Sequence, residues 1–203
     1  MPTPRLEVTY ARSVKEIDRL LSYLLATNSM PANHQYLIAE IVMLRAFSIL
    51  EEAAKDIALK LCCGASYCNG VMPVISSSAS NMSGAETLLK TFSRPRPIQF
   101  LKFTNADYLE KSVKRVISIT DPYVANAKAH STVFDEMRKV RNFIAHRSAS
   151  ARNKYKEVIF DVYNLPVKLS IGPFLVSSTR TPTSNLMRYL ISIKVILADL
   201  IKG

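Results

Sequence analysis

The chain has 203 residues and lacks several features whose absence narrows the class of protein. It contains 5 glycines and no tryptophan, and long stretches have neither glycine nor proline, which favours helices over a sheet. The most apolar stretch, residues 186–201, is too short to span a bilayer and contains Arg188, Lys194 and Asp199. Residues 1–7 are polar and do not resemble a secretory signal. We therefore expect a soluble, cytoplasmic protein with no membrane partner.

The three cysteines, Cys62, Cys63 and Cys68, lie in one cluster. An odd number of cysteines in one cluster provides no disulfide framework and indicates a reducing compartment. Three thiols without a second pair of ligands make a poor zinc site, so we interpret them as buried or incidental. The acidic residues are scattered and do not form the paired carboxylates of a metal-dependent nuclease. The sequence therefore indicates neither a metal nor a cofactor.

Basic residues outnumber acidic residues by 27 to 16, which gives a formal net charge of +11. This charge makes nucleic acid the first partner to consider and an anionic membrane surface the second. Between positions 138 and 156 there are seven basic residues and no acidic one. Six of them are predicted to contact nucleic acid: Arg138, Lys139, Arg147, Arg152, Lys154 and Lys156.

The hydrophobic pattern predicts one all-α domain over residues 1–203, folded as a helical bundle. A helix from about 34 to 62 has a wide apolar face and is expected at the centre of the bundle. Ser13 and Glu16 have the spacing of a capping box, so we predict a helix from there and an extended segment before it. Asp121 and Pro122 predict the start of a helix that reaches about Ser148, with an irregularity near His130.

Two segments are predicted to be non-helical. Residues 64–83 are rich in serine, glycine and asparagine, and we interpret them as a mobile loop. Residues 167–171 and 174–178 flank Gly172 and Pro173, which predicts a small β-hairpin or a pair of extended segments before the last helix.

The potentially reactive side chains Arg141, Asn142 and His146 lie close together near the end of the predicted helix. Asn142 and His146 are four residues apart, so they can touch on the helix surface, and the amide could orient the imidazole. Arg141 falls between this polar face and the apolar stripe. That stripe consists of Val133, Met137, Val140 and Ile144. The alternative interpretation is a polar helix face that meets only water.

Residues 141–146 resemble the Arg-polar-x-x-x-His signature of the HEPN superfamily, many of whose members are ribonucleases. Many members also carry a Glu-x-x-x-Lys pattern on an early long helix, and Glu51 and Lys55 are similar to it. The resemblance implies an up-and-down bundle in which Arg141, Asn142 and His146 are catalytic. It also implies that Glu51 and Lys55 support them and that the basic run binds RNA.

The implied activity is that of a metal-independent endoribonuclease of the toxin or abortive-infection (anti-phage defence) type. HEPN nucleases are typically homodimers in which the motifs of two protomers meet in one composite site. Some HEPN toxins carry a tyrosine two residues after the histidine, which a nucleotidyltransferase partner modifies. Ser148 occupies that position here, so we expect a different antitoxin or sensor protein.

RNA carries its own nucleophile, the 2′-hydroxyl group, so cleavage needs an acid, a base and positive charge rather than a metal. Histidine transfers protons near neutral pH, and arginine binds phosphate oxygens with two parallel hydrogen bonds. His146 is therefore the expected acid or base, Arg141 the phosphate ligand, and Asn142 a support for either. Two alternatives remain open. One is a non-catalytic HEPN module that binds RNA or a nucleotide, or scaffolds a partner protein. The other is a plain helical interaction domain.

Overall fold

The computed structural model describes residues 4–179 and 182–203, and within these ranges the chain folds into nine helices and no sheet. The helices are α1 (Leu6–Ala26), α2 (Ala32–Cys62), α3 (Met82–Thr91), α4 (Ala106–Val113), α5 (Pro122–Ala129), α6 (Ser131–His146), α7 (Ala149–Tyr163), α8 (Ile171–Val176) and α9 (Asn185–Lys202). The predicted all-α class and helical bundle are confirmed. Among the described helices, none combines the length and the apolar character needed to cross a bilayer.

Helix α2 lies at the centre of the bundle, as predicted, and contacts α1, α3, α6, α8 and α9. Its side chains are buried on several faces, because alanines allow neighbouring helices to approach closely. The buried alanines are Ala39, Ala46, Ala53, Ala54 and Ala58. Phe47 is fully buried and meets Phe134 of α6 edge to face, with 6.3 Å between ring centroids. This contact places the motif helix against the central helix.

Helix α1 begins at Leu6, well before the predicted capping box. The prediction of an extended segment before Ser13 is therefore wrong over residues 6–12. Residues 1–3 of that segment lie outside the described residues. Leu6 and Ser13 are both buried against the core, and this burial extends the helix toward the N-terminus. Thr9 donates a hydrogen bond to Asp56 of α2 and accepts one of 2.6 Å from Lys60, which fixes the start of α1.

The segment between α2 and α3 is attached to the bundle by hydrogen bonds at several points. The buried Asp121 carboxylate accepts hydrogen bonds from the Tyr67 hydroxyl and from the amides of Val74 (2.7 Å) and Tyr123 (2.9 Å). An isolated antiparallel bridge joins Ile75 to Ile117. These contacts favour a fixed position for the segment, and its predicted mobility stays a prediction.

The predicted irregularity near His130 is confirmed, because α5 ends at Ala129 and α6 starts at Ser131. The His130 Nε2 atom lies 2.7 Å from Asp199 Oδ2 on α9. The Asn126 amide also donates a 2.7 Å hydrogen bond to the Asp199 carbonyl. The break between the two helices is therefore held against α9.

The predicted hairpin before the last helix is wrong. Residues 166–170 have no regular structure, and the second predicted extended segment lies largely in the short helix α8. Ile171, Phe174 and Leu175 are buried, at a spacing that matches a helix rather than a strand. Gly172 allows α8 to lie directly on α2, since a Cβ atom at this position would lie 2.4 Å from the Cβ of Tyr36.

We expect Gly172→Ala to destabilise the protein by about 1–3 kcal/mol, because the added methyl group overlaps the Tyr36 side chain and forces α8 away from α2. The matched control is Gly84→Ala in α3, where the nearest atom would be 3.4 Å away. That substitution should stabilise by about 0.4–1 kcal/mol, since it removes freedom from the unfolded chain. Urea denaturation measures the free energy of unfolding of both variants. Equal changes in the two variants would contradict the close packing of α8.

Candidate functional site

The motif residues lie in the last two turns of α6, on sides that the core leaves accessible. Phe134, Met137, Val140 and Phe143 are the buried residues of this helix, whereas Val133 and Ile144 of the predicted stripe are only partly buried. The true core face is therefore shifted toward the two phenylalanines. This shift leaves Arg141 and Asn142 half-buried and His146 exposed.

A small hollow of about 190 Å³ lies between the end of α6 and the start of α7. We call it the α6–α7 hollow. It is lined by Lys139, Asn142, His146, Ser148, Ser150, Ala151 and Lys154. The Ser148 hydroxyl caps α7 by accepting a hydrogen bond of 3.2 Å from the Ala151 amide. Lys154, which has no ion pair among the described residues, and the N-terminus of α7 make the hollow suitable for an anion such as phosphate.

Arg147 forms the turn that joins the two helices. Its backbone is left-handed, with φ 48° and ψ 15°, which ends α6 directly after His146 and allows α7 to begin at Ala149. Its guanidinium group pairs with Glu40 of α2 and lies 5.1 Å from the centroid of the Phe143 ring. These contacts fix the turn. Because its charge is already paired, Arg147 is less available to an anionic ligand than the sequence predicts.

Arg141 does not line the α6–α7 hollow. Its Nη1 atom donates a 3.0 Å hydrogen bond to Asn142 Oδ1, so the amide holds the guanidinium group and not the imidazole. Arg141 is close enough to Glu51 of α2 to influence its ionisation. Burial raises the pKa of the Glu51 carboxyl, and the positive charge of Arg141 offsets part of this increase. Glu51 therefore interacts electrostatically with Arg141, and its support of the motif stays a prediction.

His146 makes no hydrogen bond and no ion pair with any residue that the structure describes, although the sequence predicts a contact with Asn142. Its ring is exposed at the edge of the α6–α7 hollow. An imidazole without a partner can bind a ligand or exchange a proton with it.

Lys55 is not paired with Glu51, the partner suggested by their spacing. Its Nζ atom lies 3.0 Å from Glu86 of α3, and Lys90 lies 2.8 Å from the same carboxylate. The two lysines lower the pKa of Glu86 through hydrogen bonds and charge. Lys55 therefore attaches α3 to α2 and does not reach the motif.

The basic run does not form one continuous patch. Arg138 and Lys139 pair with Asp135 on their own helix, and Lys139 also lies 3.0 Å from Glu157 of α7. Arg152, Lys154 and Lys156 have no ion pair within the described ranges. Lys154 faces the α6–α7 hollow, whereas Arg152 and Lys156 face a groove on the opposite side of α7.

Metal-ligating clusters and reactive thiols are the other features that could provide chemistry. In the described part of the chain no three His, Cys, Asp or Glu side chains come together as a metal site would require. Burial raises the pKa of the Cys62 thiol to about 12, and it also raises the pKa values of Cys63 and Cys68. Such thiols are poor nucleophiles at neutral pH.

Sequence reasoning missed two residues that shape the site. Ser148 is the N-cap of α7 and lines the hollow, and its position before a helical stretch is a signal that could have been recognised. Glu40 pairs with Arg147 from 107 residues away, and no local pattern indicates this contact.

No family model matches the chain, and comparisons with curated proteins and with solved structures give no significant match.

We expect Glu51→Gln to raise the melting temperature at pH 7 by about 1–3 °C, because the fold disfavours the charged form of this partly buried carboxyl group. A carboxyl whose pKa is raised by folding lowers stability as the pH rises through that pKa. The advantage of glutamine should therefore disappear at acidic pH, where Glu51 is protonated. Glu52→Gln is the control, because Glu52 is exposed and pairs with Arg45. A gain that is independent of pH would contradict this explanation.

Proposed function

We propose that this protein is a metal-independent endoribonuclease of the HEPN type, which acts in the cytoplasm as a toxin or abortive-infection effector. The observation that carries the proposal is the exposed, unpaired His146 ring at the edge of a hollow that also contains Lys139, Lys154 and the start of α7. This arrangement provides a group that transfers protons beside groups that attract a phosphate.

The proposed reaction needs two proton transfers. A base removes the proton of a ribose 2′-hydroxyl group, and the resulting oxygen forms a bond to the adjacent phosphorus. The bond from phosphorus to the 5′ oxygen then breaks, and that oxygen receives a proton from an acid. The products carry a 2′,3′-cyclic phosphate and a 5′-hydroxyl group. His146 supplies one transfer, and positive charge stabilises the phosphorane between the two steps.

A single protomer is chemically incomplete for this reaction. It holds one motif histidine, and its Arg141 does not line the hollow. The hollow, at about 190 Å³, is also small for a segment of RNA. We therefore propose a homodimer in which two motifs meet, so that one His146 acts as base and the other as acid.

The side of α2 next to the motif has the apolar character that such a contact needs. Leu37 and Ile41 lie one turn apart on α2 with 59% and 56% of their surfaces exposed. They flank Glu40, which pairs with Arg147 at the end of the motif helix. The centres of homodimer interfaces are more apolar than the surrounding surface, so we assign these residues to the dimer contact.

The second candidate function is a non-catalytic module that binds RNA or a nucleotide. Lys154 and the N-terminus of α7 favour phosphate binding whether or not a proton is transferred. In that case His146 would be dispensable while Lys154 would not. In either case, an antitoxin or sensor protein is the proposed regulator.

We expect the purified protein to cleave labelled RNA in the presence of EDTA, and His146→Ala to reduce the rate by about 10²- to 10⁴-fold. Arg141→Ala should also reduce the rate strongly, because the guanidinium group is proposed to reach the phosphorane in the composite site of the dimer. The matched control is His34→Ala, which removes another exposed histidine at the start of α2 and should leave the rate unchanged.

Cleavage that requires magnesium, or that persists in His146→Ala, would contradict the mechanism. Binding without cleavage, lost in Lys154→Ala but kept in His146→Ala, would support the non-catalytic module instead.

We expect Ile41→Asp to convert dimers into monomers in analytical ultracentrifugation and to reduce RNA cleavage in proportion. Ile41 is exposed, so the substitution should leave the fold intact. Val195→Asp on α9 is the control, because Val195 is exposed to a similar extent, at 47%, on another helix. An active monomer, or equal effects of the two substitutions, would argue against a composite site at this surface.

A further inference from the structure

A second and larger concavity lies on the side of α7 that faces away from the α6–α7 hollow. This α7 groove has a volume of about 560 Å³ and runs between α7 and the segment before α8. Apolar and aromatic residues line most of it: Phe143, Tyr155, Ile159, Phe160, Pro166, Val167, Leu169 and Ile171. Grooves of this size and composition bind ligands through their apolar parts.

The floor of the α7 groove consists of aromatic rings that already contact each other. Phe143 and Tyr155 are stacked with 4.6 Å between centroids, and Tyr155 meets Phe174 edge to face at 5.6 Å. The Tyr155 hydroxyl donates a 3.2 Å hydrogen bond to the Leu169 carbonyl. Both rings of the stacked pair are buried, so neither offers a free face to a nucleobase.

The charged residues that line the groove are all positive. They are Arg147, Arg152, Lys156 and Lys168, and no acidic residue lines the groove. Arg147 is paired with Glu40, whereas the other three have no acidic partner among residues 4–179 and 182–203. An occupant should therefore carry negative charge beside its apolar surface.

The groove continues past the segment before α8. A second hollow of about 540 Å³ shares Val167 and Leu169 with it and extends to Leu165 and Thr179. Phe160, Leu165 and Val167 are exposed by 54%, 57% and 43% on this surface. Together the two hollows form an open apolar surface that is longer than a compact small molecule needs.

We propose that the α7 groove is the docking site for an acidic amphipathic helix of a partner protein. The apolar face of such a helix would cover Phe160 and Val167, and its acidic residues would pair with Arg152, Lys156 and Lys168. This inference does not depend on ribonuclease activity.

Other occupants fit the groove less well. RNA stacks successive bases on several aromatic faces, whereas Phe160 is the only exposed ring among those that line the groove. A small apolar ligand such as a fatty acid is usually buried over most of its surface, whereas this groove is open. A second copy of the chain placed symmetrically would bring like charges together.

The test uses fluorescence anisotropy with the full chain and a synthetic labelled helix of about 18 residues, with leucines at i, i+3, i+4 and i+7 and glutamates elsewhere. We expect saturable binding by the wild type. Val167→Asp, which adds a charge at an exposed apolar position, should weaken binding at least about tenfold, as should the double variant Arg152→Glu/Lys156→Glu. The control Lys114→Glu changes an exposed lysine directly after α4, outside the groove, and should change binding less than about twofold.

A peptide of the same composition with its leucines scrambled should bind at least about tenfold more weakly. Equal binding of the scrambled peptide would overturn the proposal, because charge alone would then explain the affinity. Protection of residues 165–171 from hydrogen exchange by single-stranded RNA would assign the groove to RNA and also overturn it. If Val167→Asp converts dimers into monomers without any peptide, the groove would be a contact between two copies of the chain, which would also overturn the proposal.

Discussion

The burial of α2 is the constraint on which the other helices depend. Its 31 residues extend about 46 Å, and buried alanines along it allow α1, α6, α8 and α9 to approach. Where a neighbour has no bulky side chain the approach is closer still, as at Gly172 against Tyr36. Phe47 sets the position of α6 through Phe134, and Glu40 fixes the end of α6 through Arg147. The central helix therefore determines where the motif lies as well as holding the core.

Both candidate surfaces depend on the junction between α6 and α7. The left-handed backbone of Arg147 changes the direction of the chain within two residues, and the stacked rings of Phe143 and Tyr155 hold the two helices together. One side of α7 then faces His146 and Lys154, and the other side faces an apolar groove with a cationic rim. Successive residues of a helix point about 100° apart around its axis, so the basic residues of α7 lie on two different surfaces.

Much of the fold could be predicted from periodicity. The central helix, the break at His130 and the final helix follow from apolar spacing and cap residues, which act over a few positions. The helix start predicted from Ser13 and Glu16 was wrong, because capping-box spacing also occurs inside a helix. The burial of Leu6 extends α1 toward the N-terminus, past Ser13. The predicted hairpin was wrong because a short apolar segment fits a strand or a helix until its packing partner is known.

The candidate site could also be predicted only in part. The sequence alone determined which residues are near each other along the helix, namely that Arg141, Asn142 and His146 lie within the last two turns of α6 beside a basic run. The partners of the side chains depend on the tertiary structure. Asn142 accepts a hydrogen bond from Arg141, Lys55 pairs with Glu86 of α3, and Arg147 pairs with Glu40. Helical spacing is a local property of the chain, whereas ion pairs and burial depend on which distant residues the packing brings within a few ångströms.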